Sequence, residues 1–183
     1  TVEGVTFGTH GGSLLLPDGR LVFADTGSDE IVALQVTADG IPEISDRAAA
    51  EFGGGVAWMA ADPSWRYVAI GSLQENEEEQ VLNILDLETF ANTPIAFAMN
   101  EPEEITAWLL GDPVHLYVAV GGEIQSYDLG ALLAGNTEPL GTVAVELGSH
   151  GGATDAVNQR LYYVTGPGTG FEALDTAAGP AAY

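Results

Sequence analysis

Residues 14–24 read LLLPDGRLVFA, two apolar segments on either side of a short polar turn. Three further stretches share this pattern: MAADPSWRYVA at 59–69, LLGDPVHLYVA at 109–119 and DAVNQRLYYV at 155–164. The position directly after each turn holds a cationic or titratable side chain: Arg20, Arg66, His115 and Arg160. These four positions are 46 (66−20), 49 (115−66) and 45 (160−115) residues apart. Each copy predicts a strand, a tight turn and a second strand.

A repeat of about 40–50 residues with several strands per unit is typical of the blades of a β-propeller. The sequence therefore predicts an all-β fold, a β-propeller with about four blades in this chain. The units are expected at 8–50, 53–100, 102–146 and 148–183, as a single propeller segment over 1–183. A closed ring of four small blades would call for a staple, and the chain has no cysteine. We therefore expect half of a seven- or eight-bladed ring, completed by a second polypeptide or a cleaved fragment.

Each unit is expected to contain an inner strand, two middle strands and an outer edge strand. The second strands are predicted at 20–25, 66–71, 115–120 and 160–165. The third strands are predicted at 30–36, 80–87, 123–129 and 171–175. The outer strands are predicted at 43–45, 94–99 and 142–146, and a short helical turn within 131–138.

The charge balance restricts the class of partner. The net charge is −23, from 27 acidic residues against four arginines and no lysine. This charge repels nucleic acid and anionic membrane surfaces, and it favours cations or basic proteins. No stretch approaches the roughly 20 apolar residues that span a bilayer. The absence of cysteine excludes a thiolate metal site.

The repeated arginine has a structural interpretation. Each one opens a second strand directly after a turn that contains an aspartate. A guanidinium pairs well with a carboxylate, so we expect Arg20 to contact Asp18 and Arg66 to contact Asp62. His115, at the same repeat position, is expected to be a surface or turn residue.

The other two histidines lie in matching motifs, Gly-Thr-His-Gly-Gly around His10 and Gly-Ser-His-Gly-Gly around His150. Each lies ten residues before its repeat arginine, so both occupy one structural position, in blades 1 and 4. Val56 and Ile105 hold this position in the other blades. The glycines allow close approach of the backbone and leave the imidazoles free to orient. Two converging histidines favour a metal such as zinc.

A carboxylate ligand is predicted from strand direction. The second strand runs antiparallel to the first, so its end lies at the mouth where the first strand begins. In blade 1 that end is Asp25, which could bind the metal or hold the ring of His10. Glu103 and Glu104 precede the inner strand of blade 3 and are lesser candidates. The alternative is that the histidines are structural and fix the turn into the inner strand by hydrogen bonding.

The segments 161–165 (LYYVT) and 116–119 (LYVA) resemble the Tyr-Val-Thr-Asn type of propeller repeat. The paired Thr-His-Gly-Gly and Ser-His-Gly-Gly motifs resemble those of the AztD-type periplasmic zinc metallochaperones. That resemblance implies a periplasmic protein that binds zinc and passes it to the solute-binding protein of a zinc ABC transporter. Such chaperones can use a histidine-rich flexible segment for capture, which these 183 residues lack.

Two other functions remain open from the sequence. A propeller hydrolase or lactonase would need an acid–base pair or a metal that carries water. The chain shows no nucleophile elbow and no paired histidine and serine, so we expect no enzymatic activity. A protein-binding scaffold without metal is the third hypothesis, and the metal content of the purified protein separates it from the others.

Overall fold

The computed structural model describes residues 12–52, 55–72, 79–98, 106–120, 122–145, 147–165 and 170–177. Within them, four antiparallel sheets follow one another along the chain. Blade 1 consists of β1 (Ser13–Leu15), β2 (Leu21–Asp25), β3 (Glu30–Val36) and β4 (Pro42–Ala49). Blade 2 consists of β5 (Val56–Ala61), β6 (Tyr67–Ser72), β7 (Glu79–Asp86) and β8 (Ala91–Ala98).

Blade 3 contains β9 (Thr106–Leu110), β10 (His115–Val120), β11 (Glu123–Asp128), the helix α1 (Leu129–Leu133) and β12 (Gly141–Ala144). Blade 4 has three strands in the described residues: β13 (Leu147–Asp155), β14 (Arg160–Thr165) and β15 (Gly170–Asp175). In every sheet each strand pairs with the next one in sequence. The all-β propeller architecture expected from the repeat is therefore confirmed.

The second and third strands lie within one residue of their predicted bounds, but the outer strands of blades 1 and 2 are longer than predicted. β4 covers eight residues, whereas the sequence predicts a strand only at 43–45. Its exposed and partly buried positions alternate, because an edge strand contacts the core on one side only. Its apolar pattern is therefore too weak to mark the full strand.

The core lies between successive blades. Val22 and Ile31 of blade 1 pack with Val68 and Ile70 of blade 2, and all four side chains are fully buried. Blades 2 and 3, and blades 3 and 4, share similar apolar clusters. The middle strands of blades 2 and 3 have a sheet on each face, so most of their residues are buried, whereas β15 in the last blade is largely exposed. Burial of each large aliphatic side chain stabilises the fold by about 1.5–3 kcal/mol.

The repeat arginines form ion pairs that differ from one blade to the next. Arg20 Nε lies 2.8 Å from Asp18 Oδ2, as expected, and its Nη1 lies 3.1 Å from Asp46. The expected ion pair between the guanidinium of Arg66 and the carboxylate of Asp62 is wrong. Arg66 Nη2 instead lies 3.3 Å from Asp86 and 3.4 Å from Glu88.

Asp62 does not pair with a guanidinium because its carboxylate organises the turn between β5 and β6. The backbone N–H groups of Arg66 and Tyr67 donate to Asp62 Oδ1 at 2.7 and 2.5 Å. The backbone N–H and the hydroxyl of Ser64 donate to Oδ2 at 2.8 and 2.5 Å. Both oxygens of this buried carboxylate are therefore occupied by the turn itself.

The helical turn expected within 131–138 starts two residues earlier, at Leu129. The carboxylate of Asp128 caps it by accepting the Ala131 N–H at 2.7 Å. Gly135 lies just beyond α1 at φ +92°, a left-handed conformation that glycine adopts without strain and that ends the helical turn. α1 has five residues, and no helix in the described part of the chain is long and apolar enough to cross a membrane.

Candidate metal site

The strand order defines two faces of the propeller. We call the face where the first strands begin and the second strands end the histidine mouth. We call the opposite face the arginine face; it carries the turns between the first and second strands, at 16–20, 62–66, 111–114 and 156–159. The first strands of successive blades contact one another: β1 with β5, β5 with β9 and β9 with β13. Residues at the start of these strands therefore share the histidine mouth.

Asp25 lies at the histidine mouth as the last residue of β2, and its side chain is 0% exposed. The backbone N–H of Gly27 donates to Asp25 Oδ1 at 3.2 Å. The preceding residue, Ala24, donates its N–H to the carbonyl of Gly12, the last residue of the first histidine motif, at 3.3 Å. Asp25 is thus held next to that motif. A carboxylate this buried requires hydrogen-bond donors or a cation for its charge.

A second carboxylate, Glu30, is the residue across from Asp25 in the pairing of β2 with β3. Its side chain forms an ion pair with Arg47 of β4. The ion pair draws Glu30 toward the outer strand and leaves Asp25 as the buried acid at the end of β2.

His150 lies within β13, as the fourth residue of a strand that begins at Leu147. Leu147 pairs with Thr165 and Gly152 with Tyr163, so the register shifts across the segment that contains His150. β5 has a similar irregularity next to Val56, which holds the same repeat position. Bulges of this kind often occur next to functional sites, because they redirect a side chain.

The structure therefore places Asp25 of blade 1 and the backbone of His150 of blade 4 at the same mouth. His10, Glu103 and Glu104 lie outside the described residues. His115 begins β10 on the arginine face and is partly exposed, as expected for a surface or turn residue. Among the residues that the structure describes, no group of three histidine, aspartate or glutamate side chains could hold a metal.

The glycines of the two motifs have a packing role that the sequence argument missed. A Cβ at Gly152 would overlap the indole of Trp108 and the carbonyl oxygen of Tyr162. A Cβ at Gly12 would lie 3.0 Å from Met59 Cγ. In each case the space is filled by an inner-strand side chain of the neighbouring blade. Trp58, which precedes Met59, instead packs against Gly71 in the neighbouring strand of its own blade.

Tyr163 lies opposite Gly152 in the pairing of β14 with β13. Its hydroxyl donates to Glu172 Oε2 at 2.9 Å. Desolvation, reinforced by the negative charge of Glu172, raises the pKa of Tyr163 to about 12. The side chain is therefore a neutral phenol at physiological pH, which makes it a poor ligand for a metal cation.

Comparison with known proteins defines the class of protein rather than a family. No family model and no curated protein matches the chain. A solved protein from Lactobacillus plantarum is 18% identical over 84% of this chain and 47% of its own, with a TM-score of 0.59. A putative 6-phosphogluconolactonase from Bacteroides uniformis is 14% identical over 90% of this chain and 49% of its own, with a TM-score of 0.63.

Hydrazine synthase from Kuenenia stuttgartiensis is 12% identical over 97% of this chain and 50% of its own, with a TM-score of 0.62. At these identities the likeness shows the fold alone. The fold defines the chain as a β-propeller protein, and the chain spans about half the length of these three structures.

Proposed function

We propose that this propeller segment binds zinc at the histidine mouth and delivers it, as cargo, to the solute-binding protein of a zinc ABC transporter in the periplasm. The observation that supports the proposal best is the fully buried carboxylate of Asp25, held beside the first histidine motif. Both histidine motifs resemble those of zinc metallochaperones, and this resemblance supports delivery of the metal from this protein to the solute-binding protein.

The donor set has the chemistry that zinc prefers. His10 and His150 would supply imidazole nitrogens and Asp25 a carboxylate oxygen, and zinc binds both kinds of ligand. Burial of Asp25 strengthens its attraction to a divalent cation, because the surrounding protein screens charge less than water does. The net charge of −23 also raises the local concentration of cations around the protein.

Delivery requires no reaction, and the ligands alone can hold and release the ion. A full set of protein ligands would leave no position for a reactive water, as in closed zinc sites. The competing function is that of a lactonase-like hydrolase, favoured by the fold that the chain shares with the putative 6-phosphogluconolactonase. A hydrolase would keep an open position on the metal or use an acid–base pair.

The test is a zinc titration of the purified protein and of three histidine variants. His10→Ala and His150→Ala should each lower the zinc affinity at least about tenfold, and the double variant should abolish binding. His115→Ala is the matched control, because it removes the same side chain from the arginine face and should leave the affinity unchanged. Unchanged affinity in both single variants of the motifs would refute the site. Lactone hydrolysis that depends on the bound metal would favour the hydrolase.

The same proposal includes a partner that completes the ring. Phe171 of β15 is 75% exposed, and it pairs with Val164 on the face of blade 4 that is turned away from blade 3. Where two blades adjoin, such apolar faces pack on each other, and the face of blade 1 turned away from blade 2 carries a cluster of its own around Phe23 and Val32. A second polypeptide or a cleaved fragment of similar size would supply the blades that cover these faces and could contribute further zinc ligands at the same mouth.

A further inference from the structure

A cleft of about 360 Å³ lies on the arginine face between blades 1 and 2, away from the histidine mouth. The turn between β1 and β2 forms one wall, with Leu16, Asp18 and Arg20. The turns of blade 2 form the other wall, which includes Trp65 and Arg66. The volume falls within the range of small-molecule sites.

Trp65 is in an unusual conformation for its size. Its φ is +60°, in the left-handed region that large side chains rarely adopt. The same position of the turn is held by Gly19 in blade 1, at φ +89°, and by Gln159 in blade 4, at φ +52°. Glycine would satisfy this turn without strain, yet blade 2 has an indole there that is 39% exposed beside the cleft. Strained residues of this kind cluster at binding sites.

Two of the few cationic side chains of this strongly acidic protein lie at the cleft, and each is paired with two carboxylates. The chain has four arginines and no lysine, and both Arg20 and Arg66 line the cleft. The Arg66 side chain is 50% exposed and lies over the Tyr67 ring, 5.2 Å from its centroid. Its ion pairs to Asp86 and Glu88 both use Nη2. Among the described residues, the other N–H groups of its guanidinium have no hydrogen-bond partner.

From these observations we propose that the cleft binds a small organic carboxylate with an aromatic or apolar body. The body would stack on the indole of Trp65 and contact Leu16. The carboxylate would accept hydrogen bonds from the unpaired N–H groups of the Arg66 guanidinium, a geometry that suits carboxylates. A cationic ligand is the competing occupant, because the carboxylates paired with Arg20 and Arg66 outnumber these two guanidiniums, and the titration below distinguishes the two.

The test is calorimetric titration of the purified protein with two probes of equal shape and opposite charge, phenylacetate and 2-phenylethylamine. Phenylacetate should bind, with a Kd on the order of 1 mM, and the amine should not. Trp65→Gly and Arg66→Gln should each weaken phenylacetate binding at least about tenfold. Gln159→Gly is the matched control, because it relaxes the equivalent turn of blade 4 and should leave binding unchanged.

Trp65→Gly also separates binding from folding. Because glycine suits the turn, this variant should unfold at the same temperature as the wild-type protein or a higher one, while it loses the ligand. Three results would overturn the proposal: equal or tighter binding of the amine, no phenylacetate binding up to about 10 mM, or full retention of binding in Trp65→Gly. None of these measurements involves zinc, so their outcome is independent of the proposed metal function.

Discussion

Trp108 of β9 packs its indole against Gly152 of β13 and fills the space that a side chain at that position would occupy. This contact joins the inner strands of blades 3 and 4. Gly152 belongs to the second histidine motif, two residues beyond His150. The packing of the propeller and the position of the candidate ligand therefore depend on the same glycine.

Gly152→Ala should destabilise the fold by about 1–3 kcal/mol, because the added methyl would overlap the Trp108 ring and the backbone carbonyl of Tyr162. Gly12→Ala, in the first motif, should cost less, since the flexible side chain of Met59 can move aside. Urea denaturation of both variants measures the difference. A Gly152→Ala protein as stable as the wild type would contradict the packing described above.

Asp62→Ala should destabilise blade 2 by about 2–4 kcal/mol, because it leaves the N–H groups of the turn between β5 and β6 without acceptors. Asp62→Asn retains one acceptor oxygen and should lose less stability. Asp18→Ala is the surface comparison, since Asp18 is half exposed and its ion pair with Arg20 contributes little. Thermal unfolding ranks the three. Equal losses for Asp62→Ala and Asp18→Ala would show that burial of Asp62 has no special role.

Zinc binding should weaken as the pH falls below about 6.5, the ordinary pKa of histidine. An imidazole must be neutral to bind the metal, so each histidine ligand competes with a proton on the acid side of its pKa. Zinc titrations between about pH 5 and 8 test this. A flat affinity over that range would exclude histidine ligation.

The stability of the fold should decline at alkaline pH through Tyr163. Its pKa is raised to about 12 from 10.0, chiefly by desolvation. A raised pKa means that the neutral phenol stabilises the folded chain below pH 10 and that this contribution is lost as the pH rises toward 12. Tyr163→Phe should therefore flatten the stability profile between these values, whereas Tyr162→Phe, on the other face of β14, should not. Equal profiles in the two variants would contradict the assignment.

The native particle should be larger than the 19.0 kDa of this chain and should contain a second component of similar size. The exposed apolar face of blade 4 around Phe171 is the expected contact. Phe171→Ser should weaken the association, whereas Val157→Ser, which changes an exposed turn residue on the arginine face, should not. Light scattering of the purified protein gives the mass. A closed, soluble monomer of 19.0 kDa would disprove the half-ring hypothesis.

Local patterns in the sequence were sufficient for the blade architecture. The strand–turn–strand repeat is encoded by apolar segments on either side of Asp, Gly and Pro, and these preferences act over a few residues. For that reason β3 and β10 begin and end where the repeat predicts. The placement of Asp25 at the end of β2 also follows from strand direction, which the antiparallel order of a blade determines.

Contacts between blades could not be read from the chain in the same way. Arg66 pairs with Asp86 and Glu88 because the turn uses both oxygens of Asp62. The space at Gly152 is filled by Trp108, about 45 residues earlier in sequence, and the cleft beside Trp65 exists because two blades meet there. The sequence by itself determined the blades, since their signals are local. The tertiary structure decided what each functional side chain touches, since those neighbours come from other strands and other blades.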